Sequence, residues 1–183
     1  RVAVTLGDPR GIGPEVTAAV RDPEWSPPLD ADLVLVGPDD QLDAMAHVPG
    51  TRAGVGAWRL GSGDPDPHAP ASRSRAIRAG TLAGHALERA ARMALAGEVD
   101  AIVTAPIQKH ATRLAGYPSP GHTEWLAYLA GGADVAMMLA AGPLRVVLVT
   151  THVPFRDVPV LLTADKIVRT GRVTAKEIGR AHV

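Results

Sequence analysis

The sequence has 183 residues, of which 46% are hydrophobic, and its 19 basic and 19 acidic residues give a formal net charge of zero. This length and hydrophobic content are enough to form the buried core of one domain or of a domain and a half. A neutral chain suggests no polyanion-binding surface, so we expect no nucleic-acid partner. The lack of cysteine excludes disulfides and thiolate metal sites. No leader peptide and no apolar run of about 18 residues is present, which predicts a cytoplasmic protein without a membrane partner.

The first part of the sequence alternates strand and helix patterns. Val2–Leu6 is short, mostly apolar and β-branched, as in a buried parallel strand. A helix is predicted to begin around Gly11–Glu15, where Pro14 suits the first helical position. Leu33–Val36 repeats the buried-strand pattern, and Asp39–Ala46 is predicted to form a short helix.

The middle of the sequence contains its clearest helix. Pro49–Ser74 is rich in Gly, Pro, Asp and Ser and is predicted to be a surface excursion, with Ala57–Leu60 as a candidate edge strand. Small and apolar residues recur at helical spacing over Arg75–Ala96, and Gly97 ends this pattern. Val99–Thr104 is then predicted to be a buried strand.

The last part predicts further helices and strands. Helices are expected at Ile107–Leu114 and near Gly121–Glu124, where Thr123 is a natural cap. A final helix is expected to have Thr163 as its cap. The two predicted strands, which flank a tight turn, are Val135–Leu139 and Leu144–Thr150. The alternation predicts an α/β layered fold with a mostly parallel sheet.

The loop at residues 7–15 joins a strand to a helix and contains three glycines. Amide groups at a helix N-terminus can bind phosphate, which makes Gly11 and Gly13 candidate contacts. Their spacing does not fit a dinucleotide-binding fingerprint, because Val16 stands where the third glycine should be. A tight turn without a ligand explains these glycines about equally well.

Three other residues could take part in chemistry near strand ends. Lys109 could contact a phosphate at the carboxyl edge of the sheet, although a solvated lysine in the first turn of a helix is the simpler interpretation. His122 is presented by a Pro-Gly loop, and no apolar stripe accounts for it. His152 follows an apolar strand, so we expect it at the ligand edge of the mostly parallel sheet. It is a suitable metal ligand, although a lone histidine is more often structural. Asp157 or Arg156 could orient His152 or simply form an ion pair.

Five motifs, in this order, resemble those of the 4-hydroxythreonine-4-phosphate dehydrogenase family: Thr5–Glu15, Val103–Lys109, Gly121–Glu124, Met137–Leu139 and Thr150–Asp157. The resemblance implies an α/β fold of the isopropylmalate-dehydrogenase-like type, with three α/β/α layers and two subdomains. We expect the first subdomain over residues 1–117 and an incomplete second one over residues 118–176. It also implies a homodimer in the full-length protein.

The same resemblance implies a function. The implied reaction is the oxidation, with decarboxylation, of 4-phosphohydroxy-L-threonine, a step of pyridoxal 5'-phosphate (vitamin B6) biosynthesis. The implied cofactors are NAD or NADP and a divalent metal such as Zn, Mg or Co. His152 matches one of three metal-binding histidines, and His122 and Thr123 match substrate-binding residues. Alternatives are a dehydrogenase of a sugar-acid phosphate or an aromatic dihydrodiol, and a truncated, non-catalytic phosphate-binding module. No catalytic residue is assigned.

The sequence departs from the family pattern at several positions. Arg10 replaces a small residue, Gln108 replaces an asparagine, and Phe155 replaces a leucine. Family members are longer and carry the other metal ligands and most cofactor contacts in their second half, so we expect the 183 residues alone to be inactive. Glu177–Val183 fits the pattern poorly and can be encoded by a common sequencing-adapter sequence, so we expect a non-native tail there.

Overall fold

A computed structural model describes residues 1–20, 31–45, 51–56, 73–117 and 121–180. The chain divides into two compact units, Arg1–Ala130 (unit 1) and Gly131–Val183 (unit 2). The expected subdomain boundary at residues 117/118 lies earlier in the chain than this division and stays a prediction. The candidate edge strand Ala57–Leu60 lies outside the described residues.

Unit 1 is built on a four-stranded parallel sheet with the order β3-β2-β1-β4. Its strands are β1 (Val2–Thr5), β2 (Leu33–Gly37), β3 (Thr51–Gly54) and β4 (Ala101–Thr104). Its helices are α1 (Gly13–Ala19), α2 (Asp39–Ala44), α3 (Arg73–Leu95), α4 (Lys109–Leu114) and α5 (His122–Leu129). The predicted helices, and the strands β1, β2 and β4, are confirmed with small shifts at their ends.

Different helices cover the two faces of this sheet, because successive side chains of a strand point to opposite faces. Val34 and Val36 of β2 belong to a core cluster with buried residues of α3. Leu35, which lies between them, belongs to a second cluster with Leu42 of α2, and Ala18 of α1 packs against that cluster. The layers are therefore α, β and α, which confirms the predicted fold class.

Two sequence predictions about this sheet are wrong. Thr51–Gly54 falls inside the predicted surface excursion but pairs with β2 as strand β3. Strand β4 was expected to be buried, but it is an outer strand of the described sheet, and Val103 is 53% exposed. A short apolar run cannot distinguish a central strand from an outer one, because strand order depends on how the whole chain crosses over.

Helix α3 holds α4 and the start of α5 close to the sheet. Gly80 and Gly84 lie four residues apart, hence on one face of α3. A Cβ atom at Gly80 would lie 2.1 Å from the Ala111 carbonyl oxygen, and one at Gly84 would lie 2.2 Å from the Tyr117 ring. The ring of Tyr117 in turn packs on that of buried Trp125, with ring centres 4.4 Å apart. The two glycines thus allow a close approach that helps to place α5.

Unit 2 consists of a hairpin and helices. They are β5 (Met137–Ala141), β6 (Leu144–Leu148), a 3₁₀ turn (Phe155–Asp157), α6 (Val158–Leu161) and α7 (Ala164–Arg180). The two predicted strands are confirmed with shifted ends, and they pair with each other as an antiparallel hairpin. Thr163 is confirmed as the cap of α7, because its Oγ1 accepts a hydrogen bond from the Lys166 N–H at 3.2 Å. Arg169 of α7 forms an ion pair with Asp134.

Among the described residues, no helix combines the length and the apolar composition that crossing a bilayer requires. Helix α7 continues to Arg180, within the seven residues expected to be non-native. The origin of those seven residues stays a prediction.

Candidate functional site

Three loops of unit 1 leave the parallel sheet at the same edge. Thr5 of β1 is paired with Val36 of β2 and with Thr104 of β4. Because these strands run in parallel, the segments that follow them, residues 6–12, 38 and 105–108, meet at their carboxyl ends. Ligands of open α/β sheets bind at this edge. The candidate site of unit 1 is therefore built from these loops and the helices that follow them.

The loop after β1 is a tight turn whose amides are partly used within it. The Asp8 side chain accepts a hydrogen bond from the Arg10 N–H at 2.9 Å, and the Asp8 carbonyl accepts one from the Gly11 N–H at 2.9 Å. These two amide groups therefore already have partners. Gly11 and Gly13 as phosphate contacts stay a prediction, and the Gly11 N–H could bind an anion only by giving up its present partner.

Two glycines of this loop are required by packing. Gly7 has a φ of 71°, and a Cβ atom there would lie 2.3 Å from the Pro106 carbonyl oxygen. At Gly13 a Cβ atom would lie 2.0 Å from the Leu6 carbonyl oxygen and 2.9 Å from Cβ of Ala105. The loop therefore presses against the connection between β4 and α4, which accounts for both glycines without a ligand.

A buried ion pair lies in the same loop. The Arg10 guanidinium donates to both carboxylate oxygens of Asp8, from Nε to Oδ1 at 3.0 Å and from Nη2 to Oδ2 at 2.8 Å. Arg10 Nη2 also donates to Oε1 of Gln108 at 2.5 Å. We call these three residues the Asp8–Arg10–Gln108 cluster. The sequence marked Arg10 and Gln108 as departures from the family pattern but did not indicate that they meet.

His122 is the first residue of α5. Gly121 precedes it in extended conformation as the N-cap, and no side chain caps the helix by a hydrogen bond. The prediction that Thr123 caps this helix is therefore wrong: Thr123 lies inside the first turn, where its backbone is already helical. His122 and Thr123 are consecutive and both half-buried at the start of α5, which leaves them free to serve as the predicted substrate residues.

The electrostatic environment of His122 favours its neutral form. Burial lowers the pKa of its imidazole, and the positive charge of Lys109 lowers that pKa further. Its Nε2 atom is buried and has no hydrogen-bond partner among the described residues. An unpaired buried polar atom is costly and rare in folded proteins, so it indicates a place where a ligand could bind.

Lys109 is the first residue of α4 and is exposed. This agrees with the interpretation of Lys109 as a solvated lysine in a first helical turn, and its contact with a phosphate stays a prediction. Its charge also lowers the pKa of His122. An ammonium group beside a neutral imidazole suits an anion that also carries a hydrogen-bond donor or acceptor. The pair therefore suits a phosphorylated small molecule.

His152 belongs to unit 2 and is exposed. Its φ of 54° makes it the one described residue other than glycine in the left-handed region. The expectation that it lies at the ligand edge of a parallel sheet is wrong, because the preceding strand β6 belongs to an antiparallel hairpin and ends at Leu148. Arg156 and Asp157 form an exposed ion pair with each other at 3.6 Å.

A metal site needs several ligands. Among the described residues, no group of three or more His, Asp or Glu side chains is positioned to hold a metal ion. His152 is a single, exposed candidate ligand. The described residues therefore do not by themselves fit a complete divalent-metal site, and His152 as a metal ligand stays a prediction.

The α/β/α fold and the polar residues at the carboxyl edge of its sheet define an α/β protein with a candidate small-molecule site. Residues 67–182 match the family model described as Pyridoxal phosphate biosynthetic protein PdxA. This match covers more than half of the chain, so the chain belongs to that family of dehydrogenase-like oxidoreductases. The resemblance inferred from the five motifs is confirmed.

Individual relatives agree with this assignment. The chain is 39% identical to the 4-hydroxythreonine-4-phosphate dehydrogenase of Burkholderia vietnamiensis, over 98% of this chain and 56% of the relative. It is 36% identical to the D-threonate 4-phosphate dehydrogenase of Salmonella typhimurium, over 85% of this chain and 51% of the relative. The chain therefore spans little more than half the length of these curated relatives.

A solved structure gives the same result at the level of the fold. The crystal structure of 4-hydroxythreonine-4-phosphate dehydrogenase from Klebsiella pneumoniae is similar with a TM-score of 0.77 and 32% sequence identity. That similarity covers 100% of this chain and 59% of the Klebsiella chain. The structural similarity and the family match thus support the same fold.

Proposed function

We propose that this chain is part of an NAD(P)- and divalent-metal-dependent dehydrogenase that oxidises a small phosphorylated hydroxy acid, with 4-phosphohydroxy-L-threonine as the first candidate substrate. In this proposal the reaction belongs to vitamin B6 biosynthesis, and the full-length protein is a homodimer. The observation that carries the proposal is the buried, unpartnered Nε2 of His122 beside the charge of Lys109.

His122 and Lys109 would divide the recognition of such a substrate. The ammonium of Lys109 would attract the phosphate. Neutral His122 would form a hydrogen bond with a substrate oxygen through Nε2. Because burial keeps His122 neutral, the imidazole can accept a hydrogen bond as well as donate one. Thr123, next in the same helix, would add a hydroxyl group to this set.

The cofactors belong to the proposal and not to the described site. NAD or NADP would accept the hydride, and the described residues offer His152 as one candidate ligand for a metal such as Zn, Mg or Co. Since no set of three ligating groups is present among the described residues, we assign no catalytic step to the metal here.

A related substrate is a second candidate. The similarity to a D-threonate 4-phosphate dehydrogenase is nearly as strong as that to the 4-hydroxythreonine-4-phosphate dehydrogenases. As their names imply, the two substrates share a four-carbon acid with a terminal phosphate and differ at C2, where one carries an ammonium group and the other a hydroxyl. Lys109 and His122 would bind the part that both substrates share, so these residues do not distinguish one substrate from the other.

The test uses the full-length protein of the source gene. Formation of NAD(P)H is measured with 4-phosphohydroxy-L-threonine, with D-threonate 4-phosphate and with an unphosphorylated aromatic dihydrodiol, each with a divalent metal. His122→Asn should lower kcat/KM roughly ten- to a hundredfold, the effect of losing a hydrogen bond to a charged substrate. His85→Asn, at an exposed histidine of α3, is the matched control and should leave activity unchanged.

The three substrates give distinct outcomes. Turnover of the first substrate supports the proposal, and turnover of only the second moves the assignment to the D-threonate 4-phosphate class. Turnover of only the dihydrodiol, or full activity of His122→Asn, would contradict the proposed phosphate site.

A further inference from the structure

Arg10 and Gln108 are 98 positions apart in the chain, yet their side chains meet at the carboxyl edge of the sheet. Arg10 Nη2 lies 2.5 Å from Gln108 Oε1. A shorter side chain at either position would not span this gap, so the contact depends on both residues together.

The charge of Arg10 is already neutralised within the Asp8–Arg10–Gln108 cluster. Asp8 receives the Arg10 guanidinium on both oxygens, and only 8% of the Asp8 side chain and 17% of the Arg10 side chain are exposed. A fork-like pair of this kind is strong and fixed in direction. Arg10 is therefore better suited to hold protein groups in place than to bind a phosphate as a second free cation.

The cluster connects directly to the candidate site. Gln108 is the N-cap of α4, and Lys109 is the first residue of that helix. The Gln108 side chain does not cap the helix by a hydrogen bond; its Oε1 is turned to Arg10 instead. A series of contacts thus connects the Asp8–Arg10 ion pair, through the Gln108 side chain, to the start of α4. Lys109, whose charge lowers the pKa of His122, is the first residue of that helix.

We propose that the Asp8–Arg10–Gln108 cluster fixes the start of α4 so that Lys109 stays beside His122, which makes Arg10 and Gln108 positioning residues of the phosphate site. The inference rests on the proposed function for the statement that this site binds phosphate. The statement that the cluster controls the position of Lys109 is independent of the proposed function.

The decisive variant is Gln108→Asn, which keeps the amide but removes one methylene and so withdraws it from Arg10. The 183-residue chain is studied by NMR, and the pKa of the His122 imidazole is measured together with the Kd of inorganic phosphate. Gln108→Asn should raise the pKa of His122 towards that of a Lys109→Met chain. It should weaken phosphate binding roughly two- to fivefold, as expected for the loss of one exposed charge contact.

Gln41→Asn is the matched control. Gln41 Nε2 donates to the Pro9 carbonyl at 2.7 Å, so this variant shortens the same type of side chain and loosens the same loop without touching α4. It should leave the pKa of His122 and the Kd unchanged. Arg10→Lys keeps a charge for Asp8 but loses the fork, and it should repeat the effect of Gln108→Asn.

The double variant Arg10→Lys/Gln108→Asn completes the cycle. If the contact acts as a unit, the second substitution should add almost nothing to the first. An unchanged His122 pKa in Gln108→Asn, or a change equal to that in Gln41→Asn, would overturn the positioning role. If the parent chain does not bind phosphate, the proposed phosphate site fails, and the His122 pKa values alone still decide whether the cluster positions Lys109.

Discussion

The packing of α3 against α4 predicts an unusual effect of a glycine-to-alanine substitution. In an open helix interior this substitution stabilises by about 1 kcal/mol, because alanine has the higher helix propensity. At Gly80, however, the new Cβ atom would lie 2.1 Å from the carbonyl oxygen of Ala111 and 2.8 Å from the backbone nitrogen of Thr112. Both are backbone atoms of α4, so no side-chain rotation can relieve the overlap.

We expect Gly80→Ala to destabilise unit 1 for this reason. Forcing a methyl group into a well-packed interior costs about 1–3 kcal/mol. The higher helix propensity of alanine offsets about 1 kcal/mol of this cost, which leaves a net loss of up to roughly 2 kcal/mol. Because α4 begins with Lys109, a forced separation of α3 and α4 should also displace that residue.

The assay is urea denaturation of the 183-residue chain, followed by tryptophan fluorescence and by far-UV circular dichroism. Gly171→Ala is the matched control, since Gly171 lies inside α7 and an added Cβ atom meets nothing within 4 Å. It should stabilise α7 by about 0.5–1 kcal/mol. A Gly80→Ala chain that gains stability as Gly171→Ala does would refute the close approach of α3 and α4.

Three further predictions concern stability. Leu87→Ala, at a side chain only 1% exposed, should cost about 2–5 kcal/mol, whereas exposed Leu95→Ala should change the urea midpoint little. Thr163→Ala should reduce the stability of α7 by about 1 kcal/mol, measured by circular dichroism, and Thr163→Ser should not. Because the folded-state pKa of His122 lies below 6.5, the unfolded chain binds more protons between that pKa and 6.5. Stability should therefore fall as pH is lowered through this window, and His122→Asn should remove that part of the slope in urea midpoints.

Local sequence patterns predicted most elements because their causes are local. The apolar runs of β1 and β2, Pro14 in the first turn of α1 and the Thr163 cap of α7 all act within a few residues. The order of five motifs also identified the family, which the match over residues 67–182 confirmed. His122 and Thr123 could be named as site residues for the same reason, and Lys109 from its place after a strand, although their roles stay predictions.

Errors arose where the outcome depends on distant parts of the chain. The exposed position of β4 and the inclusion of Thr51–Gly54 as β3 follow from strand order, which no short segment encodes. His152 was placed at a parallel-sheet edge because an apolar strand precedes it, but that strand pairs with its neighbour in a hairpin. Thr123 was given a capping role that the backbone assigns to Gly121 instead.

Sequence patterns alone identified the family and most element types, and they named candidate site residues whose roles stay predictions. The tertiary structure decided which of these residues meet: Lys109 acts on His122, whose Nε2 is buried without a partner, and Arg10 reaches Gln108 across the sheet edge. The physical reason is that burial and charge contacts depend on the packing of α3, α4 and α5 around one sheet. Residues far apart in the chain become neighbours only when that packing forms.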